Sequence, residues 1–233
     1  MTGAQSAAER IAMADYPARI RIWMLLLNFF PLAHLSALVA IAFSNLPVWA
    51  RIGAVLATLL VLPPLLARLV HALAPLPASR ISVESGGFLS WWATAQFQII
   101  FNRLPMIEEL LRMIPGVYSN WLRLWGSRIG RLTYWSPGMV VLDREYLDLG
   151  DDVVFGAGVR LNGHVILRNR QGRLELAVAP IKIGSGAAIG GYSLLTAGTE
   201  IAAGESTNAL LLSPPFARWR DGKRVRGVPD DSA

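Results

Sequence analysis

An apolar side chain returns at every sixth position through much of the second half of the chain. Two runs have this spacing: Leu149, Phe155, Leu161 and Leu167, and then Ile183, Ile189, Leu195 and Ile201. A period of six fits neither an amphipathic helix nor an ordinary alternating strand. It is typical of a parallel β-helix, in which each short strand forms one side of a coil and neighbouring coils stack. The period therefore predicts a coil of stacked parallel strands.

The repeat is irregular at its start and interrupted in its middle. An earlier apolar set, beginning at Ile129, is two residues out of phase with the run from Leu149. Residues 168–180 break the pattern, because a turn-like stretch at 169–172 is followed by Leu174-Glu175-Leu176, which alternates like a strand. We expect a loop or hairpin that projects from one corner of the coil.

Hydrophobic residues make up 53% of the chain, and they concentrate in its first third. No charged residue occurs between Arg21 and Arg51, and a second apolar stretch runs from Ile52 to about Leu73. Each stretch is long enough to cross a hydrocarbon core of roughly 30 Å as a helix. We predict a transmembrane helical hairpin, with a kink or a re-entrant segment at Pro63-Pro64. Buried core helices are the alternative.

Arginines outside the two apolar stretches predict the orientation of this hairpin. Three precede the first stretch, three lie at or after the end of the second, and one lies in the connecting turn: Arg10, Arg19, Arg21, Arg68, Arg80, Arg103 and Arg51. The positive-inside rule then places both ends of the hairpin in the cytoplasm. The predicted location is the inner cell membrane, as a multi-pass protein with a cytoplasmic C-terminal domain.

The segment between the hairpin and the coil is rich in tryptophan. Residues 74–85 are expected to be extended, and Pro105 and Pro115 divide the rest into short helices. Such aromatic helices beside a membrane span favour the interfacial zone, or pack beneath the coil, and both can hold together. The net charge of +6 on so apolar a chain favours contact with anionic headgroups over nucleic-acid binding.

His164 is the first candidate for chemistry. It follows Asn162-Gly163 at the edge of a coil face, just before the interruption. An imidazole with a pKa near 6.5 can take a proton from a hydroxyl or amine at neutral pH. A polar partner on the far nitrogen would fix its tautomer. The candidates for that partner are Asn162, Glu175, Asp143 and Asp148. The alternative is a surface or packed histidine.

Other residues are candidates for binding. Arg168 and Arg170, with Arg173, could meet a phosphate in bidentate fashion, and together with Asp143 they form the predicted substrate site. Open backbone beside coil corners could bind an extended amide arm of a donor, and basic residues near the end of the chain could bind its phosphates. The predicted donor-binding residues are Gly190, Gly191, Gly198, Lys223 and Arg224. His34 and His71 are interpreted as structural or interfacial.

With these residues in place, the region from Trp121 to Pro229 resembles the hexapeptide-repeat acyltransferases, and specifically their membrane-anchored members. The resemblance rests on the repeat, on the entry segment 121–130, on Asn162-Gly163-His164 and on the ending Gly227-Val228-Pro229. It implies a left-handed parallel β-helix, a trimer with sites between neighbouring coils, and an acyl thioester of CoA or of an acyl carrier protein as co-substrate. His164 would then be the general base.

The expected architecture has five parts. They are a cytoplasmic N-terminal segment (1–20), a transmembrane hairpin (21–74), a linker with interfacial amphipathic helices (75–120), a left-handed β-helix acyltransferase domain (121–216) and a basic tail (217–233). The predicted function is acyl transfer to a hydroxyl or amine of a lipid-linked or amphipathic acceptor, without a tightly bound cofactor or metal. A non-catalytic trimeric membrane scaffold is the alternative. A carbonic-anhydrase-like metal site would need several histidines, and the repeat region has one.

Overall fold

Two long apolar helical segments open the described part of the chain. The computed structural model describes residues 16–76 and 78–225. The first segment, Ala18–Ala42, contains α1 (Ala18–Leu27) and α2 (Phe30–Ala42). The second, Val48–Leu73, contains α3 (Val48–Leu56), a π-helical turn (Ala57–Val61) and α4 (Leu62–Leu73). Both are long and apolar enough to cross a membrane, and only 11% and 17% of their most apolar stretches are buried.

Carbonyl groups near the prolines of the second segment bond to side chains from elsewhere in the chain. Pro63-Pro64 has no backbone N–H to donate to the preceding turn. The carbonyl of Thr58 lies 2.8 Å from Nε2 of His34, and Trp121 Nε1 donates to the carbonyl of Leu60 at 2.8 Å. The segment is one continuous helical stretch, with a π-helical turn beside the prolines. The structural role predicted for His34 agrees with this bond.

Four short helices lead into the coil after an extended strand, β1 (Ser79–Ser82). They are α5 (Gly86–Phe97), α6 (Ile99–Arg103), α7 (Met106–Arg112) and α8 (Val117–Trp125). Their large aromatic side chains are buried, among them Trp91, Phe101 and Trp121, whereas Met106 and Leu110 of α7 are exposed. The aromatic residues thus pack beneath the coil, and α7 keeps an uncovered apolar face.

The coil itself is built from short strands in three parallel sheets. The first sheet contains β2 (Arg128–Ile129), β4 (Leu147–Leu149), β9 (Ile181–Ile183), β12 (Glu200–Ile201) and β14 (Arg218–Arg220). The second contains β3 (Val140–Val141), β6 (Arg160–Asn162), β11 (Leu194–Thr196) and β13 (Leu212–Ser213). The third pairs β5 (Val154–Phe155) with β10 (Ala188–Ile189). When the isolated bridges Tyr134–Val154 and Ala188–Ser206 are added to the third sheet, the chain visits the three sheets in a fixed cyclic order.

The residues of the six-residue period stack in rows inside this coil. Ile129, Leu149, Ile183 and Ile201 are successive partners in one row, Val141, Leu161 and Leu195 in the next, and Phe155 and Ile189 in the third. All of them are buried in one continuous core. The predicted stacking is confirmed for these positions. The left-handed twist of the coil stays a prediction.

The interruption of the repeat is a hairpin, and it corrects two expectations. β7 (His164–Arg168) and β8 (Leu174–Val178) pair antiparallel, and β8 also pairs with β1. Leu167 lies opposite Glu175 in this hairpin, so it does not belong to the coil row in which the period placed it. The hairpin does not project freely either, because the apolar side of β8 is buried against Phe88 and Trp91 of α5.

The basic segment near the C-terminus begins inside the coil rather than beyond it. Arg218–Arg220 pairs in parallel with β12, and β15 (Lys223–Val225) folds back antiparallel onto it. The predicted boundary at residue 216 therefore falls before the last strand of the first sheet. The ending 227–229 and the N-terminal Arg10 lie outside the described residues.

Truncating one inward residue of the coil should be costly. Leu161 is fully buried between Val141 and Leu195, so Leu161→Ala should lower the free energy of unfolding by about 2–5 kcal/mol. Thermal unfolding of the purified protein in detergent measures this as a lower Tm. The matched control is Leu132→Ala, at a side chain that is 82% exposed, and it should leave Tm nearly unchanged. An equal fall in Tm for the two variants would contradict the inward-facing position of Leu161.

Candidate active site

The site centres on a histidine–carboxylate pair at the junction of the coil and the hairpin. His164 is the first residue of β7, and Asp143 lies in the turn between β3 and β4. Nδ1 of His164 is 2.8 Å and 2.7 Å from the two carboxylate oxygens of Asp143. Asp143 is 1% exposed, whereas the His164 side chain is 24% exposed. The pair therefore has a buried acid and an imidazole that reaches the surface.

Trp91 of α5 completes the surroundings of this pair. Its indole Nε1 donates to Asp143 Oδ1 at 3.3 Å, and its ring lies 4.6 Å, centroid to centroid, from the imidazole of His164. The carboxylate thus accepts from two side chains that come from different parts of the chain. Because both ring positions are constrained, the imidazole has little freedom to rotate away from the acid.

Gly163 makes the close approach of the hairpin possible. A Cβ at this position would come within 2.7 Å of Tyr146 Cβ and 3.1 Å of Asp143 Cβ. Distances this short force the backbone or the turn to shift, since neither neighbouring atom is the end of a flexible chain. A residue without a side chain immediately before His164 is what lets the imidazole reach the acid.

The electrostatics of the pair favour a protonated imidazole. Burial by itself lowers the pKa of His164, but the charge of Asp143, its hydrogen bond and the charge of Glu145 outweigh this effect. The net result is a pKa of His164 above its ordinary value of 6.5. The hydrogen bond to Nδ1 leaves Nε2 as the nitrogen that can accept a proton from elsewhere. Among the described residues, none forms a hydrogen bond to Nε2.

The turn that carries Asp143 is clamped by the helices before the coil. Gln98, at the end of α5, accepts from the backbone N–H of Arg144 at 2.8 Å and from its guanidinium at 3.0 Å, and donates to Glu145 at 2.8 Å. Arg144 is fully buried and is paired with Glu108 of α7. These contacts fix the turn on both sides of the chain and so position Asp143.

The structure brings only some of the predicted site residues together. Asp143, predicted as a substrate-binding residue and as one of four possible orienting partners, is the residue that contacts His164. Glu175 is not brought to His164: it lies opposite Leu167 in the hairpin and accepts from Asn169 at 2.8 Å. Asn162 is at the end of β6, and its Oδ1 has no hydrogen-bond partner among the described residues.

The predicted phosphate-binding arginines lie away from the histidine. Arg168 is at the other end of β7, about 13 Å along the strand from His164. It donates to the carbonyl of Gly172 at 2.8 Å, and Arg170 is exposed in the tip of the hairpin. Arg168 and Arg173 line a cavity of about 490 Å³ with Ser82. Substrate binding by Arg168 and Arg170 stays a prediction. If they bind substrate, they do so at a distance from the imidazole of His164.

The predicted donor-binding residues lie at corners and at the end of the coil. Gly190 and Gly191 directly follow β10. Gly198 has φ +69°, and a Cβ there would come within 2.5 Å of the Phe216 ring, so packing alone accounts for a glycine at this position. Lys223 and Arg224 are exposed on β15. Their role in binding a donor stays a prediction.

Two residues that hold the His164–Asp143 pair and its turn in place could not be inferred from local sequence. Trp91 and Gln98 are 52 and 46–47 residues away from the groups that they contact. Their residue types indicate only that each has a polar partner, because a buried tryptophan or glutamine in an apolar helix needs one. Their partners depended on how the helix packs on the coil.

In the described residues, no group of three or more His, Cys, Asp or Glu could hold a metal ion.

The solved structures that this chain resembles include acetyltransferases, two of which are described as containing hexapeptide repeats. No family model matches the chain, and no curated protein matches it.

Three of these structures differ in how much of this chain they cover. A hexapeptide-repeat-containing acetyltransferase from Vibrio cholerae O1 biovar eltor, complexed with acetyl coenzyme A, is 17% identical, with a TM-score of 0.39 over 59% of this chain and 92% of its own. A galactoside acetyltransferase in complex with coenzyme A is 16% identical, with a TM-score of 0.35 over 55% and 82%. A maltose O-acetyltransferase from Clostridium difficile 630 is 13% identical, with a TM-score of 0.31 over 64% and 92%.

Removing the charge of Asp143 should lower the pKa of His164. In Asp143→Asn the charge and the hydrogen bond that most oppose the burial of the imidazole are lost and only the charge of Glu145 remains, so the pKa of His164 should fall. The measurement is an NMR titration of ring-labelled histidine, which is tractable because the chain has three histidines. The control is Asp148→Asn, at a partly exposed acid near Arg128, and it should leave the pKa of His164 unchanged. An unchanged pKa in Asp143→Asn would contradict the pairing.

Proposed function

We propose that this protein is a membrane-anchored acyltransferase that moves an acyl group from a thioester to a hydroxyl or amine. The observation that carries the proposal is the imidazole of His164, held through Nδ1 by the buried Asp143 and in contact with the tilted ring of Trp91. An imidazole oriented by a buried carboxylate, with its second nitrogen available, is suited to general-base catalysis. The six-residue repeat and Asn162-Gly163-His164 support the same class by resemblance.

The proposed reaction is a direct transfer. Nε2 of His164 takes the proton of the acceptor hydroxyl or amine while that oxygen or nitrogen attacks the thioester carbonyl carbon. The new ester or amide bond forms as the carbon–sulfur bond breaks, and the imidazolium returns the proton to the leaving thiolate. Asp143 keeps the proton of the resting imidazole on Nδ1 and stabilises the imidazolium. The donor is a thioester of CoA or of an acyl carrier protein.

The membrane is proposed as the place of the reaction. The helical segments Ala18–Ala42 and Val48–Leu73 would span the bilayer, with the coil on the cytoplasmic side where the arginines of the sequence concentrate. The exposed apolar residues of α7 would then lie at the interface: Met106, Leu110 and, just beyond the helix, Met113 and Ile114. A site close to the bilayer surface favours a lipid-linked or amphipathic acceptor.

The proposal includes the assembly and the donor contacts implied by the resemblance. The coil would be a left-handed β-helix that forms a trimer, and the donor would bind between coils, along the corners at Gly190, Gly191 and Gly198. Exposed apolar side chains on the outside of the coil, including Tyr134, Tyr192 and Leu212, are consistent with a subunit contact. Lys223 and Arg224 would meet the donor phosphates from β15.

Replacing His164 tests the proposed chemistry. His164→Asn keeps a polar side chain beside Asp143 but has no basic nitrogen, so the release of CoA from acetyl-CoA in the presence of a membrane lipid extract should fall about 10²–10⁴-fold. Binding of acetyl-CoA should persist, and mass spectrometry of the extract should show an added acetyl group only with the unaltered protein. For the unaltered protein, kcat/KM should rise with pH through an apparent pKa above 6.5, since the base has to be neutral.

Two results would contradict the proposal. Undiminished transfer by His164→Asn would exclude His164 as the base. If the unaltered protein neither binds nor consumes any CoA or carrier-protein thioester, a non-catalytic membrane scaffold accounts for the fold better.

A further inference from the structure

Two adjacent tryptophans of α5 donate to acceptors in different parts of the molecule. Trp91 Nε1 donates to Oδ1 of Asp143 in the candidate site at 3.3 Å. Trp92 Nε1 donates to Oδ1 of Asn28 in the first apolar segment at 3.1 Å. The two indole rings meet edge to face, with their centroids 5.8 Å apart. One turn of α5 therefore joins the first apolar segment to the carboxylate that holds His164.

Asn28 is one of the few polar residues in the first apolar segment. It lies at the break between α1 and α2, three residues before Pro31, and its side chain is exposed at the surface of the segment. An amide that faces lipid is costly unless it is hydrogen-bonded. The indole of Trp92 supplies that bond. Among the described residues, it is the only side-chain hydrogen bond between α5 and the two apolar segments.

The two indole bonds fix the rotation of α5 about its own axis. Consecutive side chains of an α-helix point about 100° apart, so the two indoles hold α5 from two sides. The bond from Trp91 to Asp143 is sensitive to this rotation, because 3.3 Å is at the long end of the hydrogen-bond range and a further shift of about 0.3 Å would lose it. Breaking the bond between Trp92 and Asn28 frees α5 to make such a shift.

A shift of Trp91 would act on both members of the catalytic pair. The indole donates to the carboxylate of Asp143, and its ring lies 4.6 Å from that of His164, centroid to centroid. Without the indole the carboxylate can rotate, and Nε2 of His164 is less often directed toward the reacting groups. The chemical step should then slow, whereas the affinity for a thioester that does not contact Asn28 should not change.

We propose that Asn28 is a positioning residue for the general base and acts through Trp92 and Trp91. The inference rests on the proposed function, in which His164 is that base. It makes the orientation of the base depend on the packing of α5 against the first apolar segment. In this scheme Asn28 touches neither the acyl donor nor the acceptor.

Asn28→Leu tests this role, because it removes the acceptor of Trp92 and keeps a side chain of similar length. With acetyl-CoA and a membrane lipid extract, kcat for CoA release should fall about tenfold, and KM for acetyl-CoA should stay within about twofold. The loss is partial because Gln98 still anchors the end of α5. Asn28→Gln keeps an amide oxygen and should restore most of kcat. Ser36→Leu, a polar-to-leucine exchange at an exposed position of α2, is the matched control and should change neither constant.

An NMR signal distinguishes positioning from simple stabilisation. The chain has eight tryptophans, and the indole N–H resonance of Trp91 is the one that is missing from Trp91→Phe. In Asn28→Leu this resonance should move upfield as the hydrogen bond to Asp143 lengthens, although Asn28 bonds to Trp92 and not to Trp91. Trp121→Phe removes an indole bond to the second apolar segment and should leave the Trp91 resonance in place.

Trp92→Phe tests the same link from its other end, because it keeps an aromatic ring and removes the donor. It should reproduce the fall in kcat and the upfield shift of Asn28→Leu. The double variant Asn28→Leu/Trp92→Phe should lose no more activity than either single variant, since both changes remove one bond. Multiplied losses in the double variant would overturn the inference, and so would an unmoved Trp91 resonance in Asn28→Leu.

A purely stabilising role for Asn28 gives a different result. Asn28→Leu would then have a lower Tm, an unmoved Trp91 resonance and an unchanged kcat, which overturns the inference while the acyltransferase proposal stands. If the unaltered protein transfers no acyl group but the Trp91 resonance moves as expected, the proposed function fails and the link from Asn28 to Asp143 is confirmed. Measurements well below the Tm of every variant ensure that folded proteins are compared.

Discussion

The buried charge of Asp143 is the constraint on which the site depends. A carboxylate removed from water costs several kcal/mol unless donors meet it. Its donors are an imidazole on the inserted hairpin and an indole on the helix that precedes the coil, so hairpin, helix and coil have to be assembled before the charge is satisfied. The same contacts orient His164. Stability and the proposed chemistry therefore arise from one set of hydrogen bonds.

The apolar helices are connected to this site by specific polar contacts. Trp121, on the last helix before the coil, donates to the carbonyl of Leu60 beside the π-helical turn, and Trp92 donates to Asn28 between α1 and α2 at 3.1 Å. His71 faces Glu145 from the second segment. In a medium without water such contacts have few alternative partners. These contacts fix the orientation of the coil relative to the two apolar helical segments.

The period of six and the charge-free stretches were sufficient to predict the stacked coil and the two apolar segments, because both are set by local spacing and composition. Leu167 was assigned wrongly, since an inserted hairpin can continue the spacing of a repeat by coincidence. The pairing of His164 with Asp143 was one option among four. It depends on a bend between β3 and β4 that side chains from α5 and α7 determine, and such distant packing leaves no mark in local sequence.

In the proposed reaction, Nε2 of His164 is the group that meets the acyl donor and acceptor. An experimental structure of the protein in lipid nanodiscs, with a thioether analogue of acetyl-CoA bound, tests this claim most directly. If His164 is the base, the carbon corresponding to the thioester carbonyl lies within a few ångströms of His164 Nε2, with space beside it open toward the lipid. An analogue bound elsewhere on the coil, with His164 covered by protein on all sides, would contradict it.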